Sequence, residues 1–106
     1  MIERLLTQAY DLPLRHPWAS AQGGFDRRRG ILLRIAADGL AGFGDCAPLP
    51  GAGTETLEMA RAALETLQPR IAGRGVEDLL TALDGGFSRT PAMRFALECA
   101  LLDLAS

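Results

Sequence analysis

The sequence predicts an α+β fold in which a three-stranded antiparallel meander is followed by a three-helix segment. Alternating and strongly apolar runs fill most of the first 46 residues. The dipeptide Asp38-Gly39 separates two of these runs and suits a type I′ hairpin turn, in which both central residues have positive φ. After Gly53 the apolar residues recur at helical spacing instead. The 106 residues, 48% of them hydrophobic, are enough for one domain with a modest core.

Three strands are predicted in the first half of the chain. The first covers Ile2–Tyr10, where side chains alternate between two faces. A long loop is predicted over Asp11–Arg28, and we expect it to be the least ordered part of the isolated domain. Loops of this length in compact domains usually serve binding or are disordered. The second and third strands are predicted over Arg29–Ala37 and Leu40–Cys46, joined by the hairpin turn.

Two helices are predicted between Gly53 and the C-terminal third of the chain. Thr54 suits the N-cap of the first helix, and Glu55 and Glu58 would lie in its first turn, where carboxylates favour the positive end of the helix dipole. Pro69 should disturb or end this helix, because proline disfavours helical geometry in the preceding residue. A short second helix is predicted over Val76–Leu83.

The third helix is predicted to begin at Thr90-Pro91 and to be apolar on two faces. Helices of this kind are normally buried on both sides, but a three-stranded sheet needs only one apolar helix face. We therefore expect the chain to be a single domain, 1–106, that belongs to a larger protein. In isolation it should self-associate through this helix. One face holds Met93, Ala96, Leu97, Ala100, Leu101 and Leu104, and the other holds Phe95, Cys99 and Leu102.

Composition and charge exclude several classes of function. The net charge is −2, which gives no reason to expect a nucleic-acid or membrane partner. No apolar run approaches the roughly 20 residues that cross a bilayer, and the N-terminus does not resemble a signal peptide, so a cytoplasmic protein is expected. All eleven basic residues are arginine. The absence of lysine excludes a lysine base or Schiff base within this chain.

The sulfur and imidazole groups match no metal-binding pattern. Two cysteines and one histidine, at positions 46, 99 and 16, have none of the spacings of a zinc site. Free buried thiols are the expected state of both cysteines in the cytosol. A lone histidine before a proline is typically a solvated loop residue rather than a catalytic group.

The run from Gly42 to Thr56, Gly-Phe-Gly-Asp-Cys-Ala-Pro-Leu-Pro-Gly-Ala-Gly-Thr-Glu-Thr, leads from a strand through a stiff loop into a helix. Together with the preceding strand Arg29-Gly-Ile-Leu-Leu-Arg34, it resembles the N-terminal capping domain of the enolase superfamily. The likeness is closest to the o-succinylbenzoate synthase and muconate cycloisomerase branches, and it extends to the Ala100-Leu-Leu-Asp-Leu104 helix. This resemblance implies the same α+β fold, with the catalytic barrel absent from the chain.

The resemblance also implies a function. Enzymes of this superfamily abstract a proton next to a carboxylate, with Mg²⁺ held by the barrel. The o-succinylbenzoate synthases then dehydrate a cyclohexadiene carboxylate in menaquinone synthesis, whereas neighbouring branches cycloisomerise muconate or epimerise dipeptides. The implied partners are the barrel domain and a small carboxylate substrate. The resemblance also implies that this segment has no catalytic residue or metal ligand of its own and is inactive alone. By position, the residues expected nearest the substrate are His16, Trp18, Ser20, Phe25 and Leu49.

Some residues leave alternatives open. Asp45 stands where many relatives carry glutamate, and with no second acid or base near it in sequence, positioning of the loop is favoured over catalysis. One arginine of the run Arg27–Arg29 could bind a substrate carboxylate through its guanidinium. The rival interpretation from another class is a standalone binding or interaction module. It predicts that the long loop and both faces of the third helix are buried.

Overall fold

The structure, a computed structural model, describes residues 1–14 and 26–105. In this part of the chain a three-stranded antiparallel sheet is followed by three α-helices, which confirms the predicted fold class. Two short 3-10 turns lie at Pro50–Ala52 and Gln68–Arg70. The strands and helices are β1 (Arg4–Leu14), β2 (Asp26–Ala37), β3 (Leu40–Cys46), α1 (Leu57–Leu67), α2 (Val76–Asp84) and α3 (Pro91–Ala105).

The sheet has the order β1-β2-β3, so β2 is central and the other two strands form its edges. A two-residue turn joins β2 to β3, with Ala37 paired to Leu40. Its central residues have φ values of 53° at Asp38 and 79° at Gly39. These values confirm the predicted type I′ hairpin, whose twist matches that of the flanking strands.

The first two strands are longer than predicted, and the boundaries at Ile2, Tyr10 and Arg29 are wrong. The strand β1 continues to Leu14 and β2 begins at Asp26, so the outer parts of the predicted loop Asp11–Arg28 are paired strand. Pro13 does not end β1 because it lies on an edge strand. The carbonyl of Leu5 accepts a hydrogen bond from Gln68 on the side away from β2. Pro13 lies an even number of residues further along β1, so its backbone nitrogen also points away from β2. Its missing N–H therefore costs no bond within the sheet.

The helices pack on one face of the sheet and enclose the core. Helix α3 lies closest, against β3, where Gly42 and Gly44 face the helix backbone. A Cβ on either glycine would collide with a carbonyl oxygen of the helix, that of Ala100 or Ala96 respectively. The two glycines therefore permit the close approach of strand and helix. The largest fully buried side chains include Ile2, Leu5, Leu33, Ile35, Ile71, Leu79, Leu83, Met93, Leu97 and Leu101.

The start of α1 differs from the prediction. Its N-cap is Thr56, whose hydroxyl accepts a hydrogen bond from the Met59 amide at 3.2 Å. Thr54 was the predicted cap, but its hydroxyl is occupied within the preceding loop. The helix ends at Leu67, immediately before the 3-10 turn that contains Pro69, as expected for a proline that limits the helix.

The second face of α3 is exposed to solvent. Phe95 is 66% exposed and Leu102 59%, while Cys99 is half-buried. The predicted division of this helix into a buried face and an apolar outer face is confirmed. Among the described helices, none is both long enough and apolar enough to cross a membrane.

Candidate functional site

The candidate site lies at the end of the sheet where β1 and β3 finish and β2 begins. Leu14 and Asp26 are paired there, beyond the level at which β3 ends at Cys46. Four of the five predicted substrate-contacting residues lie between these two strands and outside the described residues, namely His16, Trp18, Ser20 and Phe25. The fifth, Leu49, lies in the segment that follows β3 at this same end.

Residues 47–53, which we call the Leu49 loop, form a closed turn. The Leu49 amide donates to the Thr54 hydroxyl at 2.6 Å, and the Thr54 amide donates to the Leu49 carbonyl at 3.3 Å. Between Leu49 and Thr54, a 3-10 turn begins at Pro50. It ends at Gly53, which has a φ of 94° and whose amide donates a hydrogen bond to the Pro50 carbonyl at 3.1 Å. These three hydrogen bonds close the loop, and the Leu49 side chain remains 49% exposed.

A groove of about 390 Å³ runs beside this loop. The start of β2 supplies Arg28 and Arg29 to one wall, the loop supplies Leu49 between its two prolines, and the start of α1 supplies Leu57. The guanidinium of Arg29 lies 3.9 Å from the Asp11 carboxylate, and both side chains are largely exposed. Glu58, also from the start of α1, adds one carboxylate to the lining. The groove therefore combines an apolar wall with two arginines and one glutamate, and the arginines are the groups suited to binding a small carboxylate.

Glu55 fixes the segment that leaves the Leu49 loop. Its side chain is buried, and its two carboxylate oxygens accept hydrogen bonds from the Ala92 amide at 2.9 Å and the Met93 amide at 2.8 Å. These amides belong to the first turn of α3, so Glu55 supplies the carboxylate that such helix ends favour. The prediction that Glu55 serves the first turn of α1 is wrong, because its side chain reaches a different helix. Thr90 precedes α3 as predicted, and its hydroxyl donates a hydrogen bond to the Phe87 carbonyl at 3.5 Å.

Asp45 and Tyr10 meet where the polypeptide enters the Leu49 loop. The Tyr10 hydroxyl donates to Asp45 Oδ1 at 2.6 Å, and the Arg28 guanidinium donates to the Ala47 carbonyl at 3.5 Å. Burial, together with the hydrogen bond to Asp45 and its charge, raises the pKa of Tyr10 to about 12. The phenol therefore stays protonated at neutral pH and remains a hydrogen-bond donor.

Both cysteines are free thiols, but only Cys46 is buried as predicted, and Cys99 is half-buried. Cys46 is fully buried, and burial, with the charges of Glu55 and Asp45, raises the pKa of its thiol to about 12. Because the thiolate is the nucleophilic form, burial and the raised pKa both disfavour reaction of Cys46 at neutral pH.

The described residues contain no cluster of metal ligands. No group of three or more His, Cys, Asp or Glu side chains converges on a point within residues 1–14 and 26–105 that could hold a metal ion. This part of the chain therefore does not fit a magnesium site. What the arrangement does offer is a hydrogen-bonded loop that presents one apolar side chain beside two arginines.

Sequence reasoning missed two of the residues that build this site. Tyr10 was assigned only to a strand, and Glu55 only to a helix start. Each acts on a residue 35 or more positions away, so local spacing carries no signal for either role. The role of Tyr10 could have been predicted only from the register of the sheet, which places Tyr10 level with the end of β3.

A family comparison identifies the fold. The model of the MenC N-terminal domain matches residues 4–104, nearly the whole chain. The chain belongs to this family. The MenC N-terminal domain is the capping domain of enolase-superfamily enzymes of the o-succinylbenzoate synthase and epimerase type, so the resemblance found in the sequence is confirmed.

Curated relatives include enzymes of both types. An aromatic dipeptide epimerase from Herpetosiphon aurantiacus is 36% identical over 106 residues, covering 96% of this chain and 30% of the relative. An o-succinylbenzoate synthase from Pasteurella multocida is 32% identical over 105 residues, covering 98% and 30%. The chain therefore spans about three tenths of the length of these relatives.

Solved structures agree with this assignment. A mandelate racemase/muconate lactonizing protein from Herpetosiphon aurantiacus superimposes with a TM-score of 0.80 at 31% identity, over 99% of this chain and 29% of that one. The o-succinylbenzoate synthase of Thermosynechococcus elongatus, solved with Mg in its active site, gives a TM-score of 0.51 at 30% identity, over 74% and 23%.

Proposed function

We propose that this MenC N-terminal domain caps the active site of an enolase-superfamily enzyme of the o-succinylbenzoate synthase type. The parent reaction would be abstraction of a proton next to a carboxylate, followed by dehydration. The observation that carries this proposal is the Leu49 loop, closed by its own hydrogen bonds with a half-exposed leucine at its surface. A pre-formed apolar contact of this kind selects substrate shape at low entropic cost.

The second substrate contact would come from the segment between β1 and β2. Both strand ends, Leu14 and Asp26, lie at the same end of the sheet as the Leu49 loop. We propose that His16, Trp18, Ser20 and Phe25 face the substrate together with Leu49. The groove arginines Arg28 and Arg29 would attract its carboxylate.

The chemistry itself would belong to the barrel domain of the parent enzyme. The chain has no lysine that could act as a base, and its described part forms no cluster of metal ligands. Mg²⁺, seen in the active site of the Thermosynechococcus relative, would be held by barrel carboxylates and would supply stabilisation of negative charge on the substrate. The capping domain would supply shape, charge and exclusion of water.

The exposed outer face of α3 supports a barrel partner. Phe95 and Leu102 are large apolar side chains that lie in water in this structure. A domain packed against them would remove that surface from solvent, and each side chain contributes roughly 1.5–3 kcal/mol when fully buried. A standalone module, the rival interpretation, gives no reason for this exposed face.

A dipeptide epimerase is the second candidate parent, favoured by the 36% identity to the aromatic dipeptide epimerase. A muconate cycloisomerase is a further alternative, supported by the structural likeness to the mandelate racemase/muconate lactonizing protein from Herpetosiphon. We expect these enzymes to share the first step, proton abstraction, and to differ in the substrate that the cap admits. Comparing turnover of the cyclohexadiene carboxylate, dipeptides and muconate by the complete enzyme would distinguish the three parents.

The role of the loop can be tested by steady-state kinetics of the complete enzyme carrying Leu49→Ala. We expect kcat/KM to fall about tenfold, since truncating a buried apolar contact in a pocket costs roughly 1–3 kcal/mol. Leu40→Ala is the matched control, because Leu40 is similarly exposed but lies at the hairpin end of the sheet. Equal effects of the two substitutions, or none from Leu49→Ala, would contradict the proposal.

A further inference from the structure

The two edge strands of the sheet are joined by a side-chain hydrogen bond that crosses the central strand. Tyr10 lies on β1 and Asp45 on β3, and the phenol donates to the carboxylate at 2.6 Å. The residue of β2 paired with Tyr10 is Gly30. A methyl group on Gly30 would lie 2.6 Å from Tyr10 Cζ and 2.7 Å from the Cys46 carbonyl oxygen. The glycine therefore lets the tyrosine ring lie across β2.

This bond acts at one specific place, the end of β3. Asp45 is followed by Cys46, whose buried side chain anchors the strand in the core, and then by Ala47, whose carbonyl accepts from Arg28. The Leu49 loop begins at that point. Three neighbouring residues are thus held by three different contacts, and the bond from Tyr10 is shorter than the one from Arg28.

We propose that Tyr10 is a positioning residue for the Leu49 loop. Its hydrogen bond to Asp45 across Gly30 fixes the direction in which the polypeptide leaves the sheet. A phenol–carboxylate bond of this length is charge-assisted and stronger than a neutral one. It ties the exit of β3 to β1, which also leads into the segment that we propose faces the substrate. The consequence of this hydrogen bond for substrate recognition rests on the proposed function. The coupling between Tyr10 and the Leu49 loop does not.

Amide hydrogen exchange measured residue by residue on this chain tests the coupling. The amides of Leu49, Gly53 and Thr54 each donate a hydrogen bond that closes the loop. In Tyr10→Phe, which keeps the ring and removes only the donor, these amides should exchange about three to ten times faster, as the loss of one such bond predicts. The amides of Leu33 and Ile35 in β2 should accelerate less, because these core amides report only the loss of global stability. Equal acceleration in loop and β2 would mean that Tyr10 only stabilises the fold, and either that result or no change in the loop would overturn the proposal.

A double-mutant cycle sharpens the test. Asp45→Ala should accelerate the same three amides, and the double variant Tyr10→Phe/Asp45→Ala should add nothing further, because the two side chains act through one bond. Additive effects would refute the assignment. Asp11→Asn is the control, since it alters the neighbouring ion pair with Arg29 and should leave the loop amides unaffected. No substrate is involved, so this result is independent of the kinetics of Leu49→Ala.

Discussion

Cys46, the last residue of β3, has a thiol whose chemistry is set by its surroundings. The side chain is fully buried, and nearby Glu55 and Asp45 disfavour a second negative charge, so the pKa of the thiol rises from 9.0 to about 12. The pKa of Tyr10, on the outer face of the sheet, moves in the same direction, from 10.0 to about 12. In both cases the folded chain holds a proton that the unfolded chain would release at lower pH.

These two groups predict how stability depends on alkaline pH. A raised folded-state pKa contributes stability that is fully present below the unfolded value and is lost as pH rises through the folded value. The free energy of unfolding should therefore be flat up to about pH 9 and fall between about pH 9 and pH 12. Urea unfolding at a series of pH values measures this. Because the chain has no lysine and a single tyrosine, few side chains titrate in this range.

Variants separate the two contributions. Cys46→Ala should remove the part of the decline that begins near pH 9, and Tyr10→Phe the part that begins near pH 10, whatever each does to stability at neutral pH. A wild-type free energy of unfolding that stays constant to about pH 11 would contradict this interpretation of the buried thiol and the bonded phenol.

At the scale of elements, the sequence predicted those features that depend on local chemistry. The turn Asp38-Gly39 dictates its own geometry, and the helical spacing of α3 assigns its buried and exposed faces without reference to the sheet. The end of β1 was missed because Pro13 normally ends a strand, and only its place on a sheet edge makes it harmless. The N-cap was placed at Thr54 instead of Thr56 because both are threonines before an apolar helical run. What decides between them is the fold of the Leu49 loop.

The candidate site was less predictable than the fold. Leu49 was singled out from the stiffness that two flanking prolines impose, which is a local property. The contacts that hold its loop come from Tyr10, Arg28 and Thr54, and from Glu55 beyond it, and most of them cross between elements distant in sequence. Such contacts depend on strand register and helix placement, which one sequence does not specify residue by residue.

The link between the Leu49 loop and α3 gives a prediction at this scale. Glu55→Ala leaves the amides of Ala92 and Met93 without their carboxylate partner in a buried setting, so we expect a loss of about 2–4 kcal/mol in the free energy of unfolding. Glu58→Ala is the control, since Glu58 is exposed on the first turn of α1 and should cost less than about 1 kcal/mol. Chemical denaturation of both variants measures the difference. Similar losses would show that the buried carboxylate does not stabilise α3.

At the scale of the whole molecule, the exposed apolar outer face of α3 predicts an interface with another domain or a second copy. Phe95 and Leu102 lie two turns apart on the side of this helix that the sheet does not cover, with the half-buried Cys99 between them. Exposed contiguous apolar surfaces usually mark interfaces. In a parent enzyme this face would pack against the barrel, and in the isolated chain a second copy is the available cover.

We therefore expect the isolated chain to self-associate through α3. Light scattering across a dilution series should show a mass that rises with concentration, and Phe95→Glu should shift the chain towards monomer. Leu40→Glu, which places the same charge on an exposed leucine of the hairpin, should leave association unchanged. A wild-type chain that stays monomeric at high concentration would contradict the assignment of this face as an interface.

The central claim is that this domain caps an active site that another domain provides. The most direct measurement compares turnover by the 106-residue chain with turnover by the complete polypeptide that carries it, using the cyclohexadiene carboxylate precursor with and without Mg²⁺. We predict Mg²⁺-dependent formation of o-succinylbenzoate by the complete polypeptide and none by the chain alone. Mg²⁺-dependent turnover by the isolated chain would contradict the claim.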